Sequence, residues 1–142
     1  WDRVKSDKPQ KIRQQWLMDI GIEVTQNGTA SLQLTDNRRQ LGMRWFGDQP
    51  TFDIVKGNRK TKSKRGLIGI RWKRMKDGTS VHVNFVTDEA ESIVVIAPEL
   101  NQELDVSLAR QSKMTSFELA IRSLHSAYDL EVSRDHTQLK KQ

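Results

Sequence analysis

The chain contains no cysteine. That removes a disulfide framework, a cysteine-based zinc centre and a thiol nucleophile. It also suits a reducing compartment, so a cytoplasmic protein is expected. Of the three histidines, His82, His125 and His136, no two stand at metal-ligand spacing, and neither metal nor cofactor is expected. No apolar run approaches the roughly 20 residues that span a bilayer, and the first residues lack the apolar core of a signal peptide, so no membrane partner is expected. There is no P-loop, no G-x-G-x-x-G and no G-x-S-x-G; Gly66-Leu67-Ile68-Gly69 reads as a strand entry. A two-metal nuclease needs carboxylates converging from several elements. Asp88, Glu89 and Glu91 instead crowd one short stretch, so no catalytic residue is assigned and the chain is read as a non-enzyme. It starts at Trp1 rather than Met, which suggests a piece of a longer protein.

Another absence is local. Residues 56–76 hold no Asp or Glu, yet carry Lys56, Arg59, Lys60, Lys62, Lys64, Arg65, Arg71, Lys73, Arg74 and Lys76. The net charge of the chain is +6, so the +10 of this stretch leaves −4 on the rest. Positive charge gathered in one lobe is the electrostatic footprint of a polyanion binder. Residues 57–66 contain nothing apolar larger than glycine and are expected to be a solvated loop. Arg71-Trp72-Lys73-Arg74 is expected within a strand spanning 66–75 that turns at Lys76-Asp77-Gly78. In that reading Arg71 and Lys73 share one face, and Ile70, Trp72 and Arg74 the other. A basic loop leading into a basic strand suits contact with a phosphate backbone. Trp72 is open to two readings, stacking on a base or packing in the core.

The rest of the pattern predicts a mainly β chain with flanking helices, an α+β fold around a small antiparallel barrel of six to eight strands. Asp7-Lys8-Pro9 reads as a helix start. Ile12, Trp16, Leu17 and Ile20 follow at helical spacing, and Gly21 ends the run. Asn27-Gly28 suggests a two-residue hairpin turn between strands at 22–25 and 29–34. Residues 41–46 and 51–55 read as strands, with Trp16 and Trp45 in the core. Alternation over 79–86 marks a half-buried strand, with Val81, Val83 and Phe85 inward and His82 toward solvent. Residues 87–92 read as an acidic turn, 93–97 as a buried strand stopped by Pro98, and 103–106 as its return. Thr115-Ser116-Phe117-Glu118 forms a capping box. Phe117, Ala120, Ile121, Leu124 and Tyr128 then mark one face of a C-terminal helix. One domain over 9–132 is expected, with a frayed start at 1–8 and a disordered tail at 133–142.

Residues 80–106, "SVHVNFVTDEAESIVVIAPELNQELDV", resemble the C-terminal β-barrel module of Mu-type transposases and integrases. Val81, Val83 and Phe85 match its first strand, residues 88–92 its acidic turn, and Ile93 and Val95 its second strand. "MTSFELAIRSLH" at 114–125 is similar to the helix that follows the barrel. The resemblance covers about a third of the chain and implies DNA binding at transposon ends, or contacts between subunits of a recombination complex. It implies no catalytic residue. The function expected is therefore non-catalytic nucleic-acid binding, DNA before RNA, by Arg59, Lys60, Lys62, Lys64 and Arg65 from the loop and Arg71, Trp72, Lys73 and Arg74 from the strand. The alternative is a protein–protein assembly module that works through the acidic turn and the terminal helix.

Overall fold

The computed structural model describes residues 2–58, 60, 66–71, 74–98, 100, 103–112, 116–133 and 136–142; at 2–3, 67, 69–71, 74–75, 88–91 and 110–112 it describes the backbone alone. Among these residues every regular element is a strand: β1 (Asp2–Met18), β2 (Glu23–Gln26), β3 (Ser31–Thr35), β4 (Gln40–Gly47), β5 (Thr51–Lys56), β6 (Leu67–Arg71), β7 (Arg74–Asp77), β8 (Thr79–Pro98), β9 (Leu104–Ser112), β10 (Ser116–Ser123), β11 (Ala127–Ser133) and β12 (Thr137–Lys141). The chain forms two compact units, Trp1–Ile96 and Ala97–Gln142. The expected α+β fold is thus wrong. Neither flanking helix exists, and three antiparallel sheets stand in place of a closed barrel.

The first unit is built on a sheet of order β1-β8-β4-β3-β2, with β5 also paired to β8. β1 supplies the clearest correction. Ile12, Gln14, Trp16 and Met18 are half-buried while Arg13, Gln15 and Leu17 are exposed, a period of two rather than 3.6. Gln14 hides that period in the sequence, because a polar residue occupies an inward position. Its amide makes the position tolerable: Oε1 accepts from Trp45 Nε1 at 3.2 Å and Nε2 donates to Ser92 Oγ at 2.7 Å. Polar groups placed inside survive when they are bonded. Pro9 does not start a helix. It lies where the β1–β8 register slips between Lys5 and Gln10, an irregularity that suits a residue with no N–H to donate.

Val24, Leu32, Leu34, Met43, Trp45, Val81, Val83 and Phe85 make the buried core of this unit, with Trp16 and Phe52 packed against it. The Trp45 ring meets Phe52 edge-on at 5.1 Å and Trp16 at 6.5 Å, geometry favoured by the ring quadrupoles. The hairpin at β2–β3 forms, but with a wider connection than the two-residue turn expected. Gln26 pairs with Leu32, and Asn27 N–H donates to the Ser31 carbonyl at 2.9 Å.

β8 overturns two further expectations. It runs unbroken through 87–92, where the acidic turn was expected, because β1 pairs with it there as Asp2↔Ser92, Arg3↔Glu91, Val4↔Ala90 and Lys5↔Glu89. His82 is buried rather than solvent-facing. It sits between β1 and β5, opposite Gln15 and Asp53, with Nε2 2.9 Å from Ser80 Oγ. A central strand is covered by its neighbours on both sides, so a polar residue there is shielded.

The second unit is a sheet of order β12-β11-β10-β9. Its strand β10 replaces the expected C-terminal helix. Phe117 and Leu119 are buried and Leu124, assigned to the apolar helix face, is 76% exposed in the β10–β11 turn. Phe117, Leu119 and Ile121 satisfy a period of two, whereas only Phe117 and Ile121 also fit a helical one. Pairing on both sides, with β9 and β11, satisfies the backbone and decides between them. The return strand at 103–106 opens β9, which pairs with β10. In the expected disordered tail, Thr137–Lys141 pairs with β11 as β12.

Candidate nucleic-acid interface

The basic stretch leaves and re-enters the first sheet at three glycines. β5 ends at Lys56, whose register partner is Thr79 at the start of β8. Gly57 N–H donates to the Gly78 carbonyl at 2.7 Å, and Gly78 N–H donates to the Gly66 carbonyl at 2.7 Å. Residues 58–65 are thus closed at their base by Gly57 and Gly66, and β6–β7 by Gly66 and Gly78. One of these glycines is required by its backbone. Gly66 has φ +73°, and a Cβ there would lie 2.6 Å from Gly57 N and 2.7 Å from the Val55 carbonyl oxygen. A Cβ on Gly78 would lie 2.5 Å from Ile68 Cδ1. At Gly66 the left-handed backbone and the close approach of two backbone atoms together demand glycine, whereas at Gly78 the Ile68 side-chain tip can move.

From this junction rises the hairpin β6–β7, paired as Leu67↔Asp77, Ile68↔Lys76, Gly69↔Met75 and Arg71↔Arg74. The expected turn at residues 76–78 is therefore misplaced. Arg71 and Arg74 are cross-strand partners rather than neighbours along one strand, and Asp77-Gly78 closes the base. Of the site residues expected from sequence, Lys60 is exposed, its N–H held at 2.9 Å by Asn58 Oδ1. Lys56 and Lys76 are exposed beside the junction. Arg71 and Arg74 are fixed by backbone register. Arg59, Lys62, Lys64, Arg65, Trp72 and Lys73 lie outside the described residues. Sequence reasoning found the charge but not the joining role of Gly57, Gly66 and Gly78, which stand near the two ends of the basic stretch and between its two halves.

Other polar groups offer less. Ser80, His82 and Asp53 share one sheet face and have the composition of an acyl-transfer triad. Ser80, however, has no exposed surface, so no substrate reaches its hydroxyl. A cavity of about 380 Å³ in the second unit is lined by Ser116, Phe117, Glu118, Glu131 and Lys140. Among the described residues no group of three or more His, Asp or Glu is placed to hold a metal ion, and no helix is long and apolar enough to cross a membrane. Set against known proteins, the chain matches no family model, no curated protein and no solved structure.

Proposed function

We propose that the first unit binds nucleic acid, duplex DNA foremost, through the 57–66 loop and the β6–β7 hairpin. The observation that carries this reading is the three-glycine junction. It roots both halves of an acid-free stretch with ten Lys and Arg residues at one end of the sheet. In this reading both halves meet the same ligand. Among the described residues, none of the core cluster comes from 57–78. The Arg71↔Arg74 pair sets two arginines across from one another at the end of the hairpin away from the junction, where their guanidinium groups would contact phosphate, while Lys60, Lys62 and Lys64 add charge from the loop. The two surfaces of the assembly alternative, a helix face and an acidic turn, are strands. The transposition setting rests on a resemblance whose turn and helix are likewise strands, so the proposal is confined to nucleic-acid binding.

Salt titration of duplex binding tests it. If about half of the ten cations touch phosphate, log K against log salt falls with a slope of about −4 to −5. Replacing Lys60, Lys62 and Lys64 together by Ala weakens every duplex alike and flattens the slope by about one unit per lost contact. Arg71→Ala or Arg74→Ala costs more per residue, about 1–3 kcal/mol for a bidentate contact. No binding at about 0.15 M salt, or a flat salt response, overturns the reading.

A further inference from the structure

Among the described residues, the second unit presents an open strand edge. β12 has β11 as its strand partner, and all five of its residues are exposed. Two backbone bonds fix which of its groups face outward. Ser133 N–H donates to the His136 carbonyl at 2.7 Å, and Gln142 N–H donates to the Ala127 carbonyl at 2.9 Å. Both bonds lie in the same register as the pairs Val132↔Thr137 through Tyr128↔Lys141. Bonded and non-bonded pairs alternate along an antiparallel ladder. The bonded pairs inside the strand are therefore Asp129–Lys140 and Glu131–Gln138. The N–H and C=O groups of Thr137, Leu139 and Lys141 point away from β11, toward the open edge.

A row of leucines runs to that edge. Leu108 pairs with Leu119, Leu119 with Leu130, and Leu130 with Leu139, each directly across the sheet. Leu119 is buried, Leu108 and Leu130 are half-buried, and Leu139 is 58% exposed. An apolar row that ends on an exposed leucine at an unpaired edge is a template for strand addition.

We propose that a second copy of this chain pairs here, β12 against β12, antiparallel about a twofold axis at Leu139. That register bonds Leu139 to its own mate and Thr137 to Lys141 of the second copy, and the reverse. All the outward N–H and C=O groups of both strands are then used. It also sets Gln138 opposite Lys140 of the second copy, so no two lysines face each other. Registers centred nearer the C-terminus set Lys140 or Lys141 against itself, which like-charge repulsion disfavours. Lys140 already has a partner on its own sheet, Glu131 at 3.6 Å. The twofold joins the leucine rows of the two copies end to end through Leu139, making an isologous contact. This proposal does not rest on the nucleic-acid reading.

The chain's lack of cysteine makes the test direct. Leu139→Cys places one thiol against its mate across a bonded pair, where the Cα separation suits a disulfide. Mild oxidation of that variant should yield a covalent dimer well before Leu124→Cys does, whose position is more exposed but lies in the β10–β11 turn. Light scattering over a concentration series should show the unmodified chain rising toward twice its monomer mass. Leu139→Pro should remain monomeric with unchanged strand content, since its N–H bonds nothing in β11. A chain monomeric throughout, a dimer that survives Leu139→Pro, or equal cross-linking of the two cysteine variants overturns the proposal.

Discussion

Gly66→Ala probes the junction that roots the basic stretch, and Gly28→Ala provides its internal control. Both glycines have positive φ, +73° and +88°, so alanine at either position bears a left-handed backbone penalty of about 1–2 kcal/mol. The two sites differ in space. A Cβ at Gly28 meets nothing within 4 Å, whereas at Gly66 it meets two backbone atoms at 2.6 and 2.7 Å. Backbone cannot swing aside as a side-chain tip does. Gly66→Ala should therefore cost a further amount of about 1–3 kcal/mol, the usual range for overpacking. For a unit of this size each kcal/mol lowers the unfolding midpoint by about 4–8 °C, so the two variants should be well separated in a thermal scan. The damage should concentrate at the junction, with faster amide exchange at Gly57 and Gly78, whose N–H groups bond across it. Equal midpoints for the two variants, with unchanged exchange at Gly57 and Gly78, would refute the argument.

The remaining expectations concern the strands and one turn. Leu119→Ala should destabilise the second unit by about 2–5 kcal/mol, as buried leucine truncations do, while Leu124→Ala should be nearly silent. Denaturant titration reads the difference, and the reverse order would restore the helix. Gln14→Ala leaves Trp45 Nε1 without its carbonyl acceptor and should cost about 1–3 kcal/mol, visible in the same titration. In the β3–β4 turn, N–H groups of Arg38 and Arg39 bond Asp36 Oδ1 at 2.8 and 2.7 Å. These bonds, first Arg38 and then Arg39, hold its carboxyl below the usual range, against a small opposing effect of burial. With the folded value depressed, the turn's contribution is present above the ordinary carboxylate value and lost as pH falls through the folded one. A carbon-detected NMR titration should place the Asp36 midpoint below that of an unstructured aspartate.

How much was legible follows from which signals compete. Residues 41–46 and 51–55 were readable as strands, and so was 79–86, because Val81, Val83 and Phe85 alternate without interruption. The charge between Lys56 and Lys76 needed no structure at all. β1 and β10 failed for a shared reason. Ile12 with Trp16, and Phe117 with Ile121, stand four apart, a spacing that both periods allow. In β1 the deciding inward position is held by Gln14, which reads as surface until its bonds to Trp45 and Ser92 are seen. In β10 the deciding residue is Leu119, which lies off the helical face and so was not counted. Capping boxes and a first-turn proline are local signals, and strand pairing from residues far along the chain overrode them. His82 was misread because alternation gives the two faces of a strand without saying that both are covered. The leucine row from Leu108 to Leu139 could not be read either, since it exists only in the register of four strands.

The division of labour within the first unit also explains why so basic a stretch does not spoil the fold. Packing ten like charges into a sheet would set cations across from one another and against apolar neighbours, which costs stability through repulsion and desolvation. Among the described residues, Lys56 is the one of the ten that enters this sheet, at the last pair of the β5–β8 ladder. β5 and β8 are joined by their own register from Thr51↔Asn84 to Lys56↔Thr79, and the bond between Gly57 and Gly78 seals that ladder just beyond its last pair. The excursion from Gly57 to Gly78 is thus attached to a ladder already complete at its base. Closure entropy rises only slowly with the length of such an excursion, so the sequence inside it is constrained little by folding. Its charge is one-sided: residues 56–76 hold no acid, while the rest of the chain is net negative. That one-sided charge, in a segment whose sequence closure of the β5–β8 ladder does not dictate, is the feature on which the nucleic-acid proposal rests.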